Sequence, residues 1–215
     1  MNLIGFLGSE CYDIIKLTAE VAKHFDAKVL LMDVSANESL KNTFNDNNVC
    51  DFNLIEQNGV FFYNHKLGSK GVNPKEYDYV FIYFGHNHKH VMLGKCKEIY
   101  VVTDMQRHNI NKLSKMKLPE KMPRFLILTN SVEYRCVSKN FEALIPNLMV
   151  AHESVFRVPV NENDLKNKVD CSFNTKAWFN KASQPMQDVV LQILGAYYPP
   201  KKIQFILKKI TGKGR

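Results

Sequence analysis

The sequence predicts an α/β fold: a three-layer sandwich in which a mostly parallel central sheet is covered by helices on both faces. Short runs rich in Val, Ile, Leu, Phe and Tyr recur along the chain, and most are apolar on both faces. Strands of this kind are buried on both sides, as in parallel sheets. Helical patterns separate the runs, and such alternation indicates right-handed crossovers between parallel strands. The predicted strands are Asn2–Leu7, Lys28–Asp33, Tyr79–Phe84, Glu98–Thr103 and Arg124–Thr129.

Helices are predicted between and after these strands, and one β-hairpin interrupts the alternation. The hairpin joins Leu54–Glu56 to Val60–Tyr63 through Gln57-Asn58-Gly59, since Asn-Gly is a preferred pair in tight turns. After about residue 161 the chain becomes helical. The predicted helical segments are Cys11–Phe25, Glu38–Phe44, Gln106–Met116, Glu162–Val169, Thr175–Lys181 and Met186–Ala196.

Composition indicates one globular domain in a reducing compartment. Of the 215 residues, 45% are apolar and 23% charged, so a domain with a sizeable core is expected over residues 1–198. No apolar run reaches the ~18 residues of a membrane-spanning helix, and the N-terminus lacks the pattern of a signal peptide. The five cysteines are scattered without a CxxC pair, which favours free thiols in the cytoplasm.

The loop after the first predicted strand lies where a sheet of this type binds its ligands. It reads GSECYD, from Gly8 to Asp13. A phosphate-binding loop needs glycines that let backbone amides wrap the phosphates, a lysine to meet their charge and a hydroxyl for Mg²⁺. This loop has one glycine, one serine and no lysine, and its carboxylates Glu10 and Asp13 would repel a triphosphate. The layout of a nucleotide site is therefore present without its phosphate chemistry.

The whole chain, in order, resembles the MinD/ParA-type ATPases, which are P-loop proteins of the SIMIBI class with a deviant Walker A loop. The resemblance extends over roughly residues 1 to 210. The first strand, loop, helix and second strand of the family correspond to MNLIGFLGSECYDIIKLTAEVAKHFDAKVLLMDVS, and the strand that ordinarily ends in the Walker B acid corresponds to YDYVFIYFG. The next strand and helix correspond to EIYVVTDMQRHNINKL, and the strand ending in a base-reading asparagine corresponds to RFLILTNSVEYRCVSKNF. The late proline-containing loop and helix correspond to FRVPVNENDLKNKV.

The resemblance implies a P-loop NTPase topology, a homodimer and a nucleotide site at Gly8, Ser9, Asp33 and Asn130. In this family Asp33 would be the acid that handles the attacking water, and Asn130 would pair with the adenine edge. The two lysines of the family's loop are absent, and YDYVFIYFG ends without a Walker B acid. Phosphoryl transfer depends on the electrostatic stabilisation that these groups supply. We therefore expect no hydrolysis, and either no cofactor or weakly bound ATP or ADP.

The residues alone leave simpler interpretations of these positions open. Any α/β domain of this kind begins with an apolar strand, a glycine and a helix, so Gly8 and Ser9 can serve only a tight turn. Asp33 can be a strand-end cap, and Asn130 can belong to a turn. An α/β protein outside the MinD/ParA family is the corresponding alternative.

Three histidines, His86, His88 and His90, follow the strand predicted at Tyr79–Phe84. On an extended segment they share one face, which could hold Zn²⁺ or bind a phosphate. On a helix His86 and His90 stack while His88 points away. No acid lies nearby in sequence to orient the rings, so a solvated loop is the alternative, and we predict no metal.

Residues 199–215 form a basic tail that begins with Pro199-Pro200. Its remainder, KKIQFILKKITGKGR, carries six Lys or Arg and no acid. On a helix its aliphatic residues fall within about 100° and its lysines lie opposite, which is typical of a helix in a membrane interface. The tail also resembles the membrane-targeting helix of MinD-like proteins. Two alternatives stay open: the aliphatic stripe packs on the domain or in a partner's groove, or the tail binds nucleic acid, for which aromatic residues suit base stacking better. The predicted membrane-binding residues are Lys202, Ile203, Ile206, Leu207, Lys208, Lys209 and Ile210.

Together these features predict a pseudo-ATPase that acts as a scaffold or positioning factor and not as an enzyme. We expect a cytoplasmic homodimer, peripheral at the inner face of the cell membrane, with an anionic membrane surface and an unidentified protein as partners and without nucleic acid. Within the resemblance, the nearest functional type is the TadZ/CpaE-like localisation proteins of pilus and secretion assembly. One alternative is a nucleotide-dependent switch in which backbone groups and a partner subunit supply the phosphate contacts. Lys16 does not readily replace the loop lysine in this alternative, because its side chain begins too far along the first helix. Another is a DNA-partition or conjugation accessory that uses the basic tail.

Overall fold

The computed structural model describes residues 1–44, 54–64, 72–119, 122–132, 148, 154–174 and 177–211. Eight strands in these ranges form a single sheet. In chain order they are β1 (Asn2–Gly8), β2 (Val29–Asp33), β3 (Leu54–Gln57), β4 (Val60–Asn64), β5 (Tyr79–Gly85), β6 (Glu98–Thr103), β7 (Arg124–Ser131) and β8 (Val155–Pro159). Their order across the sheet is β3-β4-β2-β5-β1-β6-β7-β8.

The sheet is parallel except for the predicted hairpin, in which β3 runs antiparallel to β4. β1 lies near its centre, with β5 on one side and β6 on the other. These three strands are buried almost throughout because helices cover both faces of the sheet. The α/β fold expected from the apolar runs is confirmed, and the carboxyl ends of the three central strands open on one edge.

Five α-helices complete the described part of the chain: α1 (Tyr12–Lys23), α2 (Arg107–Leu113), α3 (Glu162–Phe173), α4 (Gln184–Gly195) and α5 (Pro200–Thr211). Two separate hydrophobic clusters pack on the two faces of the sheet. One includes residues of α1, α4 and α5 such as Ile14, Val190 and Ile206. The other includes Ile110 and Leu113 of α2. The molecule is therefore a three-layer sandwich, as the sequence predicts.

Three predicted elements differ from the observed ones. β8 was expected only as a proline-containing loop, and it is a short strand paired with β7. Of the predicted helix Glu38–Phe44, only a 3₁₀ turn at Lys41–Phe44 forms. The predicted helix Thr175–Lys181 is likewise reduced to a 3₁₀ turn at Phe179–Lys181, while residues 175 and 176 lie outside the described ranges.

The basic tail is not separated from the domain, because α5 begins at Pro200 and packs against the core. A proline is favoured in the first turn of a helix, where its missing N–H needs no partner. Ile206 is only 5% exposed, and Ile203, Leu207 and Ile210 contact the same hydrophobic cluster. The stripe predicted to bind a membrane is thus seated on the domain. In the described residues, no helix is long and apolar enough to span a bilayer.

Candidate functional site

A cavity of about 650 Å³ opens at the carboxyl ends of the central strands, where ligands bind in parallel sheets. Residues at or just after the carboxyl ends of β1, β2, β5, β6 and β7 form its wall, and α2 and α3 each add a lysine. Its size is within the range of small-molecule sites. The lining residues are Gly8, Ser9, Glu10, Ala36, Asn37, Tyr83, His86, Asn87, Asp104, Asn109, Lys112, Thr129, Asn130 and Lys168.

The first loop of this site is pressed against β6. Gly8 has a φ of +108°, and a Cβ atom built on it would overlap the carbonyl oxygen of Val102. The next residue, Ser9, donates its backbone N–H to the same oxygen at 2.8 Å. That amide is therefore engaged with β6, whereas a phosphate-binding loop keeps such amides free for its ligand.

The N-terminus of α1 faces a carboxylate from its own first turn. Asp13 is buried, and its burial raises the pKa of the carboxyl group, while Lys168 and the backbone N–H groups of Asp13 and Ile14 lower that pKa in part. The N-terminal amides of a helix attract anions. Here the helix supplies its own anion at the place where a P-loop protein puts a phosphate.

Replacing Asp13 with asparagine should raise the free energy of unfolding at pH 7 by about 1 kcal/mol. Because the pKa of Asp13 is higher in the folded protein than in the unfolded chain, ionisation of this carboxyl weakens the folded state as the pH rises from about 4. Asparagine keeps the polar contact without the charge. Urea denaturation at pH 7 and pH 3.5 tests this: the gain should be present at pH 7 and absent at pH 3.5, and an equal gain at both would exclude an electrostatic origin.

Asp33 is fully engaged in a turn and does not line the cavity. Its carboxylate accepts hydrogen bonds from the backbone N–H and hydroxyl of Ser35 at 2.9 and 2.6 Å. It also accepts the backbone N–H groups of Leu40 and Lys41 at 2.9 and 3.0 Å. This arrangement is the strand-end cap that the sequence left open, and it leaves little capacity for orienting an attacking water.

The other predicted cofactor-binding residues do meet at the cavity. Gly8 and Ser9 form one side, and Asn130 lies on another, with a φ of +50° that asparagine tolerates better than most residues. No side-chain hydrogen bond holds Asn130 to a described residue. The structure therefore brings together three of the four positions.

The three histidines do not converge. Residues 86 to 90 form turns, so neither the extended nor the helical arrangement applies. His86 lines the cavity, whereas His88 lies with Nδ1 3.4 Å from the carbonyl of His86, and His90 accepts the backbone N–H of Met92 through Nδ1. Among the described residues, no group of three or more His, Cys, Asp and Glu side chains is arranged to hold a metal.

Two lysines at the cavity were not identified from the sequence. Lys112 comes from α2 and Lys168 from α3, far from the first loop in the chain. Lys168 donates to the backbone carbonyl of Glu10 at 3.1 Å and lies 5.5 Å from the ring centre of Tyr12. The only sequence signal was that α3 belongs to the late helix of the resemblance, which does not say which of its lysines faces the site.

Lys16, the lysine nearest the loop in sequence, points away from the cavity. Its ammonium group donates to the backbone carbonyls of Thr43, Cys171 and Asn174 at 2.9, 2.9 and 3.1 Å. It also lies 4.5 Å from the ring centre of Phe44. Burial lowers the pKa of Lys16 to about 8. Lys16 thus ties α1 to the Lys41–Phe44 turn and to the end of α3, and it does not reach a ligand in the cavity.

The arrangement of strands and helices is that of solved bacterial and plasmid ATPases. The chain superposes on MinD in the MinC:MinD cell division protein complex of Aquifex aeolicus with a TM-score of 0.59, at 15% identity over 93% of this chain and 98% of that chain. The fold is that of the MinD and ParA ATPases. Scans of the sequence against protein-family models and curated proteins give no match.

Two ParA-type structures show the same MinD/ParA fold. A ParA family ATPase from Chlorobium tepidum TLS gives a TM-score of 0.54, at 14% identity over 89% of this chain and 96% of that one. A putative plasmid partition protein from Borrelia burgdorferi B31, bound to AMPPNP, gives 0.56, at 13% identity over 92% of this chain and 99% of that one. At these identities the similarity establishes the fold, and function has to be argued from the site.

Proposed function

We propose that this protein is a non-hydrolysing scaffold or positioning factor built on the MinD/ParA fold. The observation that supports it is Asp13, whose buried carboxylate lies at the N-terminus of α1, where such folds bind phosphate. A carboxyl group at that point takes up the α1 amides that would otherwise bind the phosphates of ATP. The scaffold function then follows from the fold, which MinD and partition proteins share, with its nucleotide chemistry removed.

The other groups that phosphoryl transfer needs are missing or engaged elsewhere, which supports the same conclusion. The first loop contains no lysine, β5 contains no carboxylate, and the oxygens of Asp33 are held in a turn. Phosphoryl transfer relies on cations and a positioned water, since the protein contributes little covalent chemistry. Lys16 does not substitute, because its three hydrogen bonds hold its ammonium group at Thr43 and the end of α3, and it does not line the cavity.

Purified protein should not turn over Mg²⁺-ATP. We expect inorganic phosphate to be released no faster than in the buffer control. The protein concentration should range from ~1 to ~50 μM, so that a dimer with a micromolar dissociation constant would form. Phosphate release proportional to protein concentration, retained through purification and lost on substituting a cavity residue such as Asn109→Ala, would contradict the proposal.

The same proposal places the scaffold at the inner face of the cell membrane, with α5 as its contact. In the docked helix the lysines and Phe205, which is 67% exposed, face outward while the aliphatic stripe packs on the core. Moving that stripe from the core into a lipid interface exchanges one apolar environment for another. The free-energy difference between the core-docked and the membrane-bound helix then depends on the lysines, each of which contributes about 1 kcal/mol near an anionic leaflet. Such an anchor holds reversibly.

Vesicle sedimentation tests the membrane contact. The double substitution Lys208→Glu and Lys209→Glu should abolish co-sedimentation with phosphatidylserine-containing vesicles, and neutral phosphatidylcholine vesicles should bind little wild-type protein. Lys115→Glu with Lys117→Glu is the matched control, because it makes the same charge change at exposed residues on the other side of the sheet. Failure of the wild type to bind anionic vesicles, together with DNA binding that the Lys208 and Lys209 substitutions remove, would favour the DNA accessory instead.

We include a homodimer and a protein partner in this function. The MinD structure is a complex with MinC, and a protein of this fold without turnover needs a partner through which to act. Molar mass in solution, measured by light scattering, tests the homodimer directly: twice the chain mass supports it, and a monomer at all concentrations up to ~100 μM rejects it.

A further inference from the structure

The helix α3 is amphipathic in the reverse of the usual sense. A surface helix ordinarily turns its apolar residues to the core and its polar residues to water. Apart from Cys171, the residues that α3 buries are polar, namely Asp164 and Asn167. The large apolar residues that it leaves exposed are Leu165, Val169 and Phe173, with 44%, 57% and 84% of their surface accessible. Packing within the described part of the chain therefore leaves the apolar side of α3 uncovered.

The buried polar side chains of α3 hold the segment of chain that follows this helix. Asp164 accepts hydrogen bonds from the backbone N–H and the hydroxyl of Ser183 at 2.7 and 2.5 Å. Asn167 donates its side-chain amide to the backbone carbonyl of Trp178 at 3.3 Å and accepts the backbone N–H of Trp178 at 3.4 Å. A rotation of α3 that buried its apolar residues would break these bonds and leave Asp164 without its partners. The fold therefore fixes the outward direction of the apolar residues.

Leu165, Val169 and Phe173 together form what we call the outer stripe of α3. They are spaced four residues apart, so they lie on one side of the helix over about 12 Å of its length. Single exposed apolar residues are ordinary on protein surfaces, whereas a contiguous exposed group of large apolar residues marks a site of interaction. By this criterion the outer stripe is a contact surface.

A row of alternating charges runs beside the outer stripe. Glu162, Lys166 and Asp170 repeat the four-residue spacing and lie along one flank of the stripe, and Lys166 pairs with Glu162 at 2.6 Å. Lys168, on the other flank, is directed to the first loop, where it donates to the backbone carbonyl of Glu10. Two of the three charges in the row are carboxylates, which an anionic leaflet or the phosphates of nucleic acid would repel. The surface therefore suits a protein better than lipid or nucleic acid.

A second copy of α3, packed antiparallel, fits both the outer stripe and the row of charges. With a twofold axis at Val169, this residue meets its own equivalent, and Leu165 of each copy meets Phe173 of the other. The same axis brings Lys166 of each copy to within about 3 Å, measured along the helix, of Asp170 of the other, so opposite charges face each other twice. A parallel arrangement would oppose identical charges. The charge order of α3 is thus self-complementary in the antiparallel orientation.

We propose that the outer stripe is the contact through which two copies of this chain associate, with their α3 helices antiparallel about a twofold axis at Val169. The inference rests on the homodimer of the proposed function and assigns the interface of that dimer to α3. Standard protein interfaces bury about 800 Å² on each partner. The three side chains of the outer stripe supply the apolar centre of such an interface but not its whole area, so we expect a dissociation constant in the micromolar range.

The molar mass of the full chain, measured by light scattering from ~1 to ~100 μM, tests the contact. We expect the wild type to approach twice the chain mass over this range and Val169→Glu to remain monomeric, since its dimer would press two carboxylates together. The matched control is Val91→Glu, the same change at a valine that is 79% exposed on the connection between β5 and β6, and it should dimerise as the wild type does. Both valines are exposed, so both variants should fold, and circular dichroism verifies it.

An exchange of charges tests the antiparallel orientation. Asp170→Lys places a lysine opposite Lys166 twice in each dimer and should weaken association about tenfold. Adding Lys166→Asp makes the facing charges opposite again and should restore association to within about threefold of the wild type. An Asp170→Lys variant that associates as the wild type does, or that the second substitution does not rescue, contradicts the antiparallel arrangement.

The same samples separate this inference from the proposed function. A dimer that persists in Val169→Glu overturns the α3 contact and leaves the homodimer to another surface, whereas a wild type that is monomeric up to ~100 μM overturns both. Loss of binding to anionic vesicles in Val169→Glu, with a monomeric wild type, would mean that lipid covers the outer stripe instead. Turnover of Mg²⁺-ATP by a dimer that Val169→Glu dissociates would reject the non-hydrolysing function and support the α3 contact.

Discussion

Replacing Gly8 with alanine should lower the free energy of unfolding by at least about 3 kcal/mol, the largest effect we expect from a single methyl group in this protein. The added Cβ would overlap the carbonyl oxygen of Val102, which is part of the β1–β6 ladder and cannot move without breaking it. The φ of +108° adds backbone strain, because L side chains rarely adopt it. Guanidinium denaturation followed by circular dichroism measures the loss.

Two other glycines separate the causes of that loss. Gly59 also has a positive φ, of +76°, but a Cβ there would meet no atom within 4 Å, so Gly59→Ala should cost only about 1 kcal/mol. Gly94 has open space and no positive φ, and Gly94→Ala should be near neutral. If Gly8→Ala cost no more than Gly59→Ala, the loop would be able to move off β6, and its amides would be free to take up a P-loop conformation.

Replacing Lys16 with methionine should destabilise the fold by about 3 kcal/mol. The substitution leaves the buried carbonyls of Thr43 and Cys171, and the partly buried carbonyl of Asn174, without their donor. Each lost charge-assisted hydrogen bond costs roughly 1.5 to 3 kcal/mol, and removing a buried charge returns part of that sum. Methionine is close to the lysine stem in length, so packing against Phe44 is largely kept.

The matched control is Lys166→Met on α3, where the ammonium group pairs with Glu162 at 2.6 Å in full view of solvent. An exposed pair of this kind contributes little, so the change should be within about 0.5 kcal/mol. If Lys16→Met instead kept full stability, the three hydrogen bonds of Lys16 would contribute nothing net to the fold. Urea denaturation of both variants gives the answer.

The fold was predictable because its central strands are buried on both faces. β6 was predicted with its observed bounds, and β1, β2, β5 and β7 were each found with their ends displaced by one or two residues. The Asn-Gly turn of the hairpin is a local signal and was sufficient for β3 and β4. β8 was missed because it has five residues, two of which are Arg157 and Pro159, and only Val158 among them is fully buried. An edge strand of that composition has no apolar run to detect.

The site was less predictable because its charges come from distant elements. The missing loop lysine could be read directly, and so could the positions of Gly8 and Ser9. No local pattern showed that Lys112 and Lys168 face one cavity, since that depends on how α2 and α3 pack on opposite layers. The two roles of Asp33 could not be separated either, because a strand-end acid looks the same whether its oxygens face a ligand or a turn.

The tail illustrates the same limit in energetic terms. Ile203, Ile206, Leu207 and Ile210 form an apolar stripe whose spacing is identical whether it lies on a protein core or in lipid. Both environments remove the same apolar surface from water. Only the neighbouring core, assembled from α1, α4 and the sheet, shows where the stripe rests in the described state.

The most direct test of the non-hydrolysing site is a crystal structure of the protein grown with millimolar Mg²⁺-ATP. We predict that Asp13 stays at the N-terminus of α1 and that no phosphate contacts the amides of Asp13 or Ile14. A triphosphate bound to those α1 amides, with Asp13 displaced and Gly8 moved off Val102, would contradict this and would require a nucleotide-controlled switch in place of the scaffold.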